Sequence, residues 1–200
     1  GGVIGVEFAS VWKSFGADVT IVEALPHLVP NEDPACSKAL ERAYKKRGIS
    51  LSLGVRFASA TQNDSGVDVH LEDGSVLHAD ILLVAVGRGP QTDGLGYQEQ
   101  GIAMERGWVL VDERLRTNLP GVYAVGDITP GLQLAHRGFQ HGIFVAEEIA
   151  GLDPMPIADS SIPRVTYCEP EVASVGLTEA EAVDAWGADN ITTYERSEEH

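Results

Sequence analysis

The sequence has very little cysteine. Its 200 residues include two, Cys36 and Cys168, and their wide separation matches no Cys-x-x-Cys redox or metal motif. We therefore expect two unpaired thiols and no metal site. The lack of disulfide spacing favours a reducing compartment, so we expect a cytoplasmic protein.

Positive charge and long apolar runs are also scarce. The chain has 30 Asp and Glu residues but 14 Lys and Arg residues, which gives a formal net charge of −16. Nucleic-acid backbones and anionic lipids bind clustered Lys and Arg, so we expect no nucleic acid and no membrane among the partners. No apolar stretch approaches the roughly 20 residues that span a bilayer. Hydrophobic residues still make up 44% of the chain, which is usual for a globular protein.

Both ends of the sequence indicate an internal fragment of a longer protein. The chain begins inside a glycine-rich turn, Gly1-Gly2-Val3-Ile4-Gly5, with no initiator Met and no preceding strand. It ends shortly after residues 191–194, which have the pattern of a strand start. We expect the isolated chain to fold poorly, because a parallel sheet without its first strand leaves buried backbone groups without partners.

Hydrophobic spacing predicts alternating helices and strands. Helices are predicted at residues 5–15, 34–47, 135–150 and from 179 onward, with Asp33 and Thr178 as N-caps. Strands are predicted at residues 19–22, 49–53, 109–111, 122–125, 164–167 and 172–176. Between residues 55 and 86 the apolar period changes to two, which predicts an antiparallel meander that leads into a buried strand at 81–86.

The glycine turn carries the first chemical signal. Gly2 and Gly5 have the spacing of the last two glycines of G-x-G-x-x-G and lead into the predicted helix 5–15. Glycine there lets the backbone approach a pyrophosphate, while the helix N-terminus supplies N–H donors. A glycine-rich packing turn would explain the same spacing. Glu23, which ends the predicted strand 19–22, favours the dinucleotide interpretation, since its carboxylate can accept from ribose hydroxyls and would repel the 2′-phosphate of NADP.

The segment Thr117–Asp127 is the most specific stretch of the sequence. A predicted strand carries Asp127 behind Gly126, where its carboxylate can accept a hydrogen bond from a sugar or ribityl hydroxyl. Together with Val86–Pro90, this segment resembles the flavoproteins with two dinucleotide-binding domains, in which the same strand-Gly-Asp holds FAD. The resemblance spans essentially the whole chain.

Within that superfamily, the sequence resembles the dihydrolipoyl dehydrogenase type of class I pyridine nucleotide-disulfide oxidoreductases. The resemblance rests on four segments, Gly1–Glu7, Val84–Pro90, Leu134–His136 and Tyr167–Thr178. It implies an α/β fold of the two-dinucleotide-binding-domain type. The implied parts are a Rossmann-like NAD domain with an antiparallel meander and no first strand (1–86), the C-terminal part of an FAD domain (87–155), and the start of an α+β dimerisation domain (156–200).

The resemblance also implies cofactor contacts. The residues expected to bind NAD are Gly1, Gly2, Val3, Ile4, Gly5, Glu7, Glu23, Phe57, Gly87 and Arg88. The residues expected to bind FAD are Asp127, Gln133, Leu134, Ala135 and His136. Glu7 is expected near the reactive edge of the flavin, paired with a lysine outside the chain. The main-chain N–H groups of Ala135 and His136 are expected to face the pyrimidine edge, whereas the His136 side chain is expected to be a surface or capping group.

The implied reaction is the FAD-dependent oxidation of dihydrolipoamide with hydride transfer to NAD⁺. The implied partners are a second copy of the subunit and the lipoyl domain of a 2-oxoacid dehydrogenase complex acyltransferase. The redox cysteine pair and the catalytic His and Glu of the family have no counterpart here, so no catalytic residue is expected and the isolated chain should be inactive. Residues 137–142 depart from the family's commoner small-and-acidic sequence.

Other interpretations remain open at this point. Mercuric reductase and soluble transhydrogenase share much of the same plan, although Glu23 argues against relatives that prefer NADPH. A non-catalytic nucleotide-binding module is a further alternative. The presence or absence of a redox cysteine pair in the full-length protein would separate the disulfide reductases from the transhydrogenase and from such a module.

Overall fold

A computed structural model describes residues 1–196. The chain divides into two compact units. The first unit contains residues 1–87 together with the chain from Val165, and the second contains residues 88–164. Each unit has its own secondary structure and is described separately.

The first unit opens with a helix and a parallel strand pair. Helix α1 covers Val3–Ser14, strand β1 covers Thr20–Glu23, helix α2 covers Pro34–Lys46 and strand β2 covers Ser50–Leu53. The strands pair in parallel, with Thr20 opposite Ser50 and Glu23 opposite Leu53. Helix α2 is therefore the crossover that a parallel pair requires. These four predicted elements are confirmed, with α1 beginning two residues before the predicted start.

The core of this unit lies between the two helices and the strand pair. Tyr44 on α2 is fully buried, and its hydroxyl donates to the main-chain oxygen of Val6 on α1 at 2.7 Å. Burial of a phenol is favourable only when its O–H finds a partner, so this contact fixes the two helices against each other. The apolar residues of the core are Val6, Ala9, Val19, Ile21, Leu28, Val29, Leu40, Tyr44, Ile49, Cys168 and Val172.

Asp33 precedes α2, but it does not cap the helix with its side chain as the sequence predicts. Its carboxylate makes no side-chain capping bond and instead accepts a hydrogen bond from the main-chain nitrogen of Glu179 at 3.0 Å. The partner lies 146 residues away. A tertiary contact has therefore replaced the local one.

The predicted antiparallel meander is confirmed. Strands β3 (Phe57–Asn63), β4 (Gly66–Leu71) and β5 (Val76–Ala79) form a three-stranded sheet in sequence order. The alternate residues Val67, Val69 and Leu71 of the central strand are buried. The intervening residues of this strand are half-buried, so burial alternates with the two-residue period that the sequence predicts.

The prediction of a buried strand at residues 81–86 is wrong. This segment has no regular secondary structure, and Ile81 and Val86 are 71% and 91% exposed. Within residues 1–196, the parallel sheet consists of β1 and β2 alone. An apolar run becomes a buried strand only beside a strand that accepts its hydrogen bonds and beneath a layer that covers it, and the described residues supply neither.

The chain from Arg164 onward follows the sequence prediction in part. Strands β8 (Arg164–Thr166) and β9 (Val172–Ser174) form a two-stranded sheet, and helix α4 covers Glu179–Trp186. A capping box begins α4, in which the hydroxyl of Thr178 accepts from the nitrogen of Glu181 and the Glu181 carboxylate accepts from Thr178. The predicted strand start at residues 191–194 is wrong, because residues 191–196 carry no regular structure.

The second unit consists mainly of loops around one helix. Strands β6 (Met104–Glu105) and β7 (Trp108–Val109) form a short hairpin, and helix α3 covers Ala135–Ile149. None of the helices within residues 1–196 is long and apolar enough to cross a membrane. The helix prediction for 135–150 is confirmed, whereas the strand predicted at 109–111 is the shorter β7.

The strand predicted at residues 122–125 is also wrong. The segment makes one antiparallel bridge, between Tyr123 and Arg116, and then enters a 3₁₀ turn at Gly126–Ile128. A tight turn separates it from its partner, since the nitrogen of Val122 donates to the oxygen of Leu119 at 3.2 Å. The resulting ladder is too short to form a regular strand.

An ionic cluster fixes α3 to the preceding loop. The carboxylate of Glu148 on α3 accepts from the guanidinium groups of both Arg114 and Arg116. Hydrogen bonds from Arg114 hold the pKa of Glu148 below its ordinary value, with a smaller contribution from Arg116. Arg114 also lies over the ring of Phe144, with its guanidinium carbon 5.6 Å from the ring centre. Helix α3, whose N-terminus belongs to the candidate site, is thus held in place at its C-terminal end.

Candidate functional site

The glycine turn at the start of α1 approaches Glu23 closely. A Cβ atom on Gly1 would lie 2.7 Å from both Cγ and Oε2 of Glu23, so no side chain fits there. At Gly2, by contrast, no atom of residues 1–196 lies within 4 Å of such a Cβ atom. A Cβ on Gly5 would lie 3.6 Å from Cβ of Ala85. Among the three glycines of this turn, Gly1 is therefore the one that a close approach requires.

Glu23 lies at the end of β1, and its carboxylate faces the turn. Its Oε1 accepts from the nitrogen of Leu25 at 2.8 Å, and Oε2 lies 2.9 Å from the nitrogen of Gly1. Burial raises the pKa of Glu23, whereas the hydrogen bond from the nitrogen of Leu25 lowers it. The structure thus brings together Gly1 and Glu23, as the sequence predicts.

Helix α1 begins immediately after the glycines. Gly2 is its N-cap residue and makes no side-chain capping bond. Val3 and Ile4 in its first turn are 40% and 38% exposed. The first N–H groups of a helix have no partner within the helix, and together with the helix dipole they suit an anionic ligand.

Glu7 makes a contact that the sequence does not predict. Its Oε1 accepts a hydrogen bond from the main-chain nitrogen of Tyr167 at 2.8 Å. The carboxylate of Glu7 is thereby oriented by the turn between β8 and β9. No sequence signal could have indicated this pair, because the two residues lie 160 positions apart.

Three further predicted NAD residues lie at separate places. Phe57 opens β3 opposite Leu71 and is 51% exposed. Gly87 has a φ of 132°, a conformation that L side chains rarely adopt, and it ends the first of the two segments that form the first unit. Arg88 is the first residue of the second unit.

Arg88, Asp127 and Gln133 form a polar cluster in the second unit. Nη1 of Arg88 lies 3.5 Å from Oδ2 of Asp127, and Nη2 of Arg88 donates to the main-chain oxygen of Gln133. The side-chain amide of Gln133 donates to the main-chain oxygen of Asp127 at 3.3 Å. The Arg88 and Asp127 side chains are 46% and 49% exposed, so a ligand can reach both.

The remaining predicted FAD residues begin α3. Leu134 is the N-cap residue without a side-chain capping bond, and Ala135 and His136 form the exposed first turn. The imidazole of His136 contacts the main chain of another loop, with Nε2 2.8 Å from the oxygen of Pro163. The chemistry available at this point is therefore that of main-chain N–H groups at a helix N-terminus.

Two side chains on α3 that the sequence prediction omits hold the loop around Asp127. Nδ1 of His141 lies 3.3 Å from the nitrogen of Gly126, and the guanidinium of Arg137 donates to the main-chain oxygen of Pro130 at 2.6 Å. Both side chains are buried. Both belong to residues 137–142, where the sequence departs from the commoner family pattern, and that departure was the available signal.

The comparisons with known proteins identify the family of the chain. Residues 1–142 match the pyridine nucleotide-disulphide oxidoreductase family. The chain belongs to this family. Residues 162–198 match the dimerisation domain of the same family. The predicted fold class is confirmed, and FAD and NAD are the cofactors that the family uses.

Similar proteins include enzymes and solved structures. The chain is 43% identical over 189 residues to dihydrolipoyl dehydrogenase of Chlorobaculum tepidum, covering 92% of this chain and 40% of that protein. The structure of LpdA from Mycobacterium tuberculosis is 34% identical with a TM-score of 0.85, covering 93% of this chain and 40% of that one. The HOCl-induced flavoprotein disulfide reductase RclA from Escherichia coli, solved as a Cu(II) complex, is 33% identical with a TM-score of 0.84, covering 92% and 42%.

The chain matches only part of the length of each relative. The chain spans 40% of the length of the Chlorobaculum tepidum protein that it matches. The chain likewise covers 40% of the LpdA structure and 42% of the RclA structure.

Proposed function

We propose that the chain is the part of a dihydrolipoyl dehydrogenase that holds NAD and one side of FAD. The observation that carries this proposal is the 43% identity to a dihydrolipoyl dehydrogenase across 92% of the chain. The proposed reaction is the oxidation of dihydrolipoamide with NAD⁺ as the final hydride acceptor. When bound, FAD supplies the electron chemistry that protein side chains lack.

The proposed NAD site centres on the start of α1. Gly1 and Gly2 let the backbone approach the pyrophosphate, whose charge the first N–H groups of α1 would complement. Glu23 accepts from the ribose hydroxyls, and its position beside Gly1 supports this role. The further proposed contacts are Val3, Ile4, Gly5, Glu7, Phe57, Gly87 and Arg88.

The proposed FAD site centres on Asp127 and the start of α3. Asp127 accepts from a ribityl hydroxyl, while Gln133 and Arg88 hold its backbone and carboxylate in place. The N–H groups of Ala135 and His136 face the pyrimidine edge of the flavin, where the helix dipole favours negative charge on the reduced ring. Leu134 is a further proposed contact of the flavin. The uncapped N-terminus of α3 supports this role.

The whole protein is proposed to act as a cytoplasmic homodimer. The match of residues 162–198 to a dimerisation domain supports the dimer. The proposed domain limits are 1–86 for NAD, 87–155 for FAD and 156–200 for the interface. The proposed substrate-bearing partner is the lipoyl domain of a 2-oxoacid dehydrogenase complex acyltransferase, which follows from the proposed reaction.

A second candidate function is reduction of a different disulfide or oxidant by a flavoprotein of the same plan. The likeness to the HOCl-induced disulfide reductase, at a TM-score of 0.84, favours this alternative over a nucleotide-binding module without redox chemistry.

Steady-state kinetics on the purified full-length protein tests the proposal. We expect NADH formation when dihydrolipoamide and NAD⁺ are both present, and a much lower rate with NADP⁺. A flavin-containing protein that oxidises NADH with other acceptors, but shows no turnover with dihydrolipoamide or lipoamide, would support the second candidate. A protein that binds neither FAD nor NAD would contradict both.

A further inference from the structure

We propose that His141 is a positioning residue for the flavin, which as a neutral imidazole holds the turn that carries Asp127. This inference rests on the proposed FAD site. His141 does not touch the proposed ligand. It acts through the main chain of Gly126, the residue immediately before Asp127.

Both polar main-chain groups of Gly126 are bound. Its N–H donates to Nδ1 of His141 at 3.3 Å, and its oxygen accepts from the nitrogen and the hydroxyl of Thr129 at 3.0 and 2.8 Å. Gly126 has a φ of 70°, so the backbone here occupies the left-handed region. The position of Asp127 therefore depends on a conformation that these contacts maintain.

The backbone of α3 lies directly against the turn. A Cβ atom on Gly138 would lie 3.5 Å from Cα of Gly126, so the two glycines allow a close approach. His141 lies three residues further along the same helix, and residues three apart share a helix face. Its ring is directed at the turn and is only 3% exposed.

Arg137 holds the rest of the loop from the same face of α3. Its guanidinium donates to the main-chain oxygens of Pro130 and Leu132 at 2.6 and 3.3 Å, and to the hydroxyl of Thr129 at 3.4 Å. Its Nε donates to Oδ1 of Asp159 at 2.8 Å. Arg137 and Asp159 are also the charged groups that act on His141.

The contact between His141 and Gly126 depends on the protonation of the ring. Nδ1 accepts a hydrogen bond only when the ring proton is on Nε2. A second proton would place an N–H donor on Nδ1 opposite the N–H of Gly126, and two donors would then face each other without an acceptor between them. Burial and the charge of Arg137 lower the pKa of His141, while Asp159 opposes them. The neutral ring therefore persists below the ordinary pKa of roughly 6.5, and the turn is released only in more acidic solution.

Titration of the full-length apoprotein with FAD, followed by flavin fluorescence from pH 8 to pH 5, tests this role. His141→Asn keeps an acceptor near the position of Nδ1 but cannot titrate, whereas His141→Leu removes the acceptor. His78→Asn, at an exposed histidine of the meander, is the matched control. For the wild type we expect FAD affinity to fall roughly fivefold to tenfold more on acidification than for His141→Asn, the size of one hydrogen bond.

The outcomes separate this inference from the proposed function. Weaker FAD binding by His141→Leu at neutral pH, rescue by His141→Asn and a flatter pH profile for His141→Asn support it. Equal acid sensitivity of the wild type and His141→Asn overturns it, as does wild-type affinity in His141→Leu. If His141→Leu does not fold, the two pH profiles decide. If the wild type binds no FAD at any pH, both the proposed function and this inference are contradicted.

Discussion

The carboxylate of Glu7 on α1 accepts a hydrogen bond from the main-chain N–H of Tyr167 at 2.8 Å. Two more contacts fix the same turn. The hydroxyl of Ser10 accepts from the nitrogen of Glu169 at 3.0 Å, and Arg47 donates to the oxygen of Glu169 at 2.9 Å. The turn that follows β8 is therefore held by polar side chains of α1 and by Arg47, the residue after α2, and Cys168 is buried within it.

Arg47 makes several of the hydrogen bonds around this turn. Besides Glu169, its guanidinium reaches the hydroxyl of Ser10, the oxygen of Ser10 and the hydroxyl of Ser14. We expect Arg47→Ala to lower the free energy of unfolding by about 2 kcal/mol, because hydrogen bonds from a charged donor are lost together. Denaturant unfolding of the full-length protein measures this change.

Ser14→Ala is the control for Arg47→Ala. It removes the contact with Arg47 and the local bond that the Ser14 hydroxyl donates to the main-chain oxygen of Ser10, both at the exposed edge of the cluster, so we expect a loss of about 0.5 kcal/mol or less. Equal effects of the two substitutions would show that Arg47 does not connect the turn to the helices.

Because of Tyr44, the stability of the core is expected to decrease at alkaline pH. Burial raises the pKa of Tyr44, and its contact with Cys168 raises it further. A raised pKa means that the folded state keeps the phenol proton when the unfolded state loses it. The resulting stability is complete below the unfolded pKa of roughly 10 and is lost as the pH rises above that value.

We therefore expect the melting temperature to fall more steeply above pH 10 in the wild type than in Tyr44→Phe. Tyr44→Phe should be less stable at neutral pH by about 1 kcal/mol, because the bond to Val6 is lost. Exposed Tyr194 provides the control, and Tyr194→Phe should leave both values unchanged. Parallel alkaline profiles of the wild type and Tyr44→Phe would refute this account of the core.

The elements that the sequence predicted well carry their own local signals. Helix α4 has a capping box formed by Thr178 and Glu181, α2 begins at Pro34, and β4 of the meander alternates buried and half-buried residues. The run at 81–86 has a strong apolar signal but no strand, since a strand also requires a neighbour that local sequence does not encode. Asp33 similarly turns to a distant partner, Glu179.

The candidate site was predictable to the extent that it follows from chain order. The order of a glycine turn, a helix, a strand and an acidic residue at the strand's end indicated Gly1 and Glu23. The structure brings these two residues together. The contacts of Arg137 and His141 with the loop before α3 depend on how close the helix approaches that loop. That distance is a tertiary property, so sequence spacing alone does not show it.

Glu23 should determine which dinucleotide the protein uses. We expect Glu23→Arg to lower kcat/KM for NAD⁺ and to raise it for NADP⁺, each by roughly tenfold, because the carboxylate that would repel a 2′-phosphate becomes a cation. The rates are measured with dihydrolipoamide and either nucleotide.

Asp18→Arg makes the same change of charge at an exposed position just before β1. We expect it to leave the ratio of the two rates near the wild-type value. An unchanged preference in Glu23→Arg, or an equal shift in Asp18→Arg, would show that Glu23 does not contact the ribose.

Flavin retention by Asp127→Ala in the purified full-length protein tests the central claim most directly. Asp153→Ala, which removes an exposed carboxylate of the same unit, is the control. We predict that the wild type and Asp153→Ala keep bound FAD through gel filtration, and that Asp127→Ala binds it at least about tenfold more weakly. Retention of FAD by a correctly folded Asp127→Ala protein with wild-type affinity would contradict the assignment of Asp127 to the flavin.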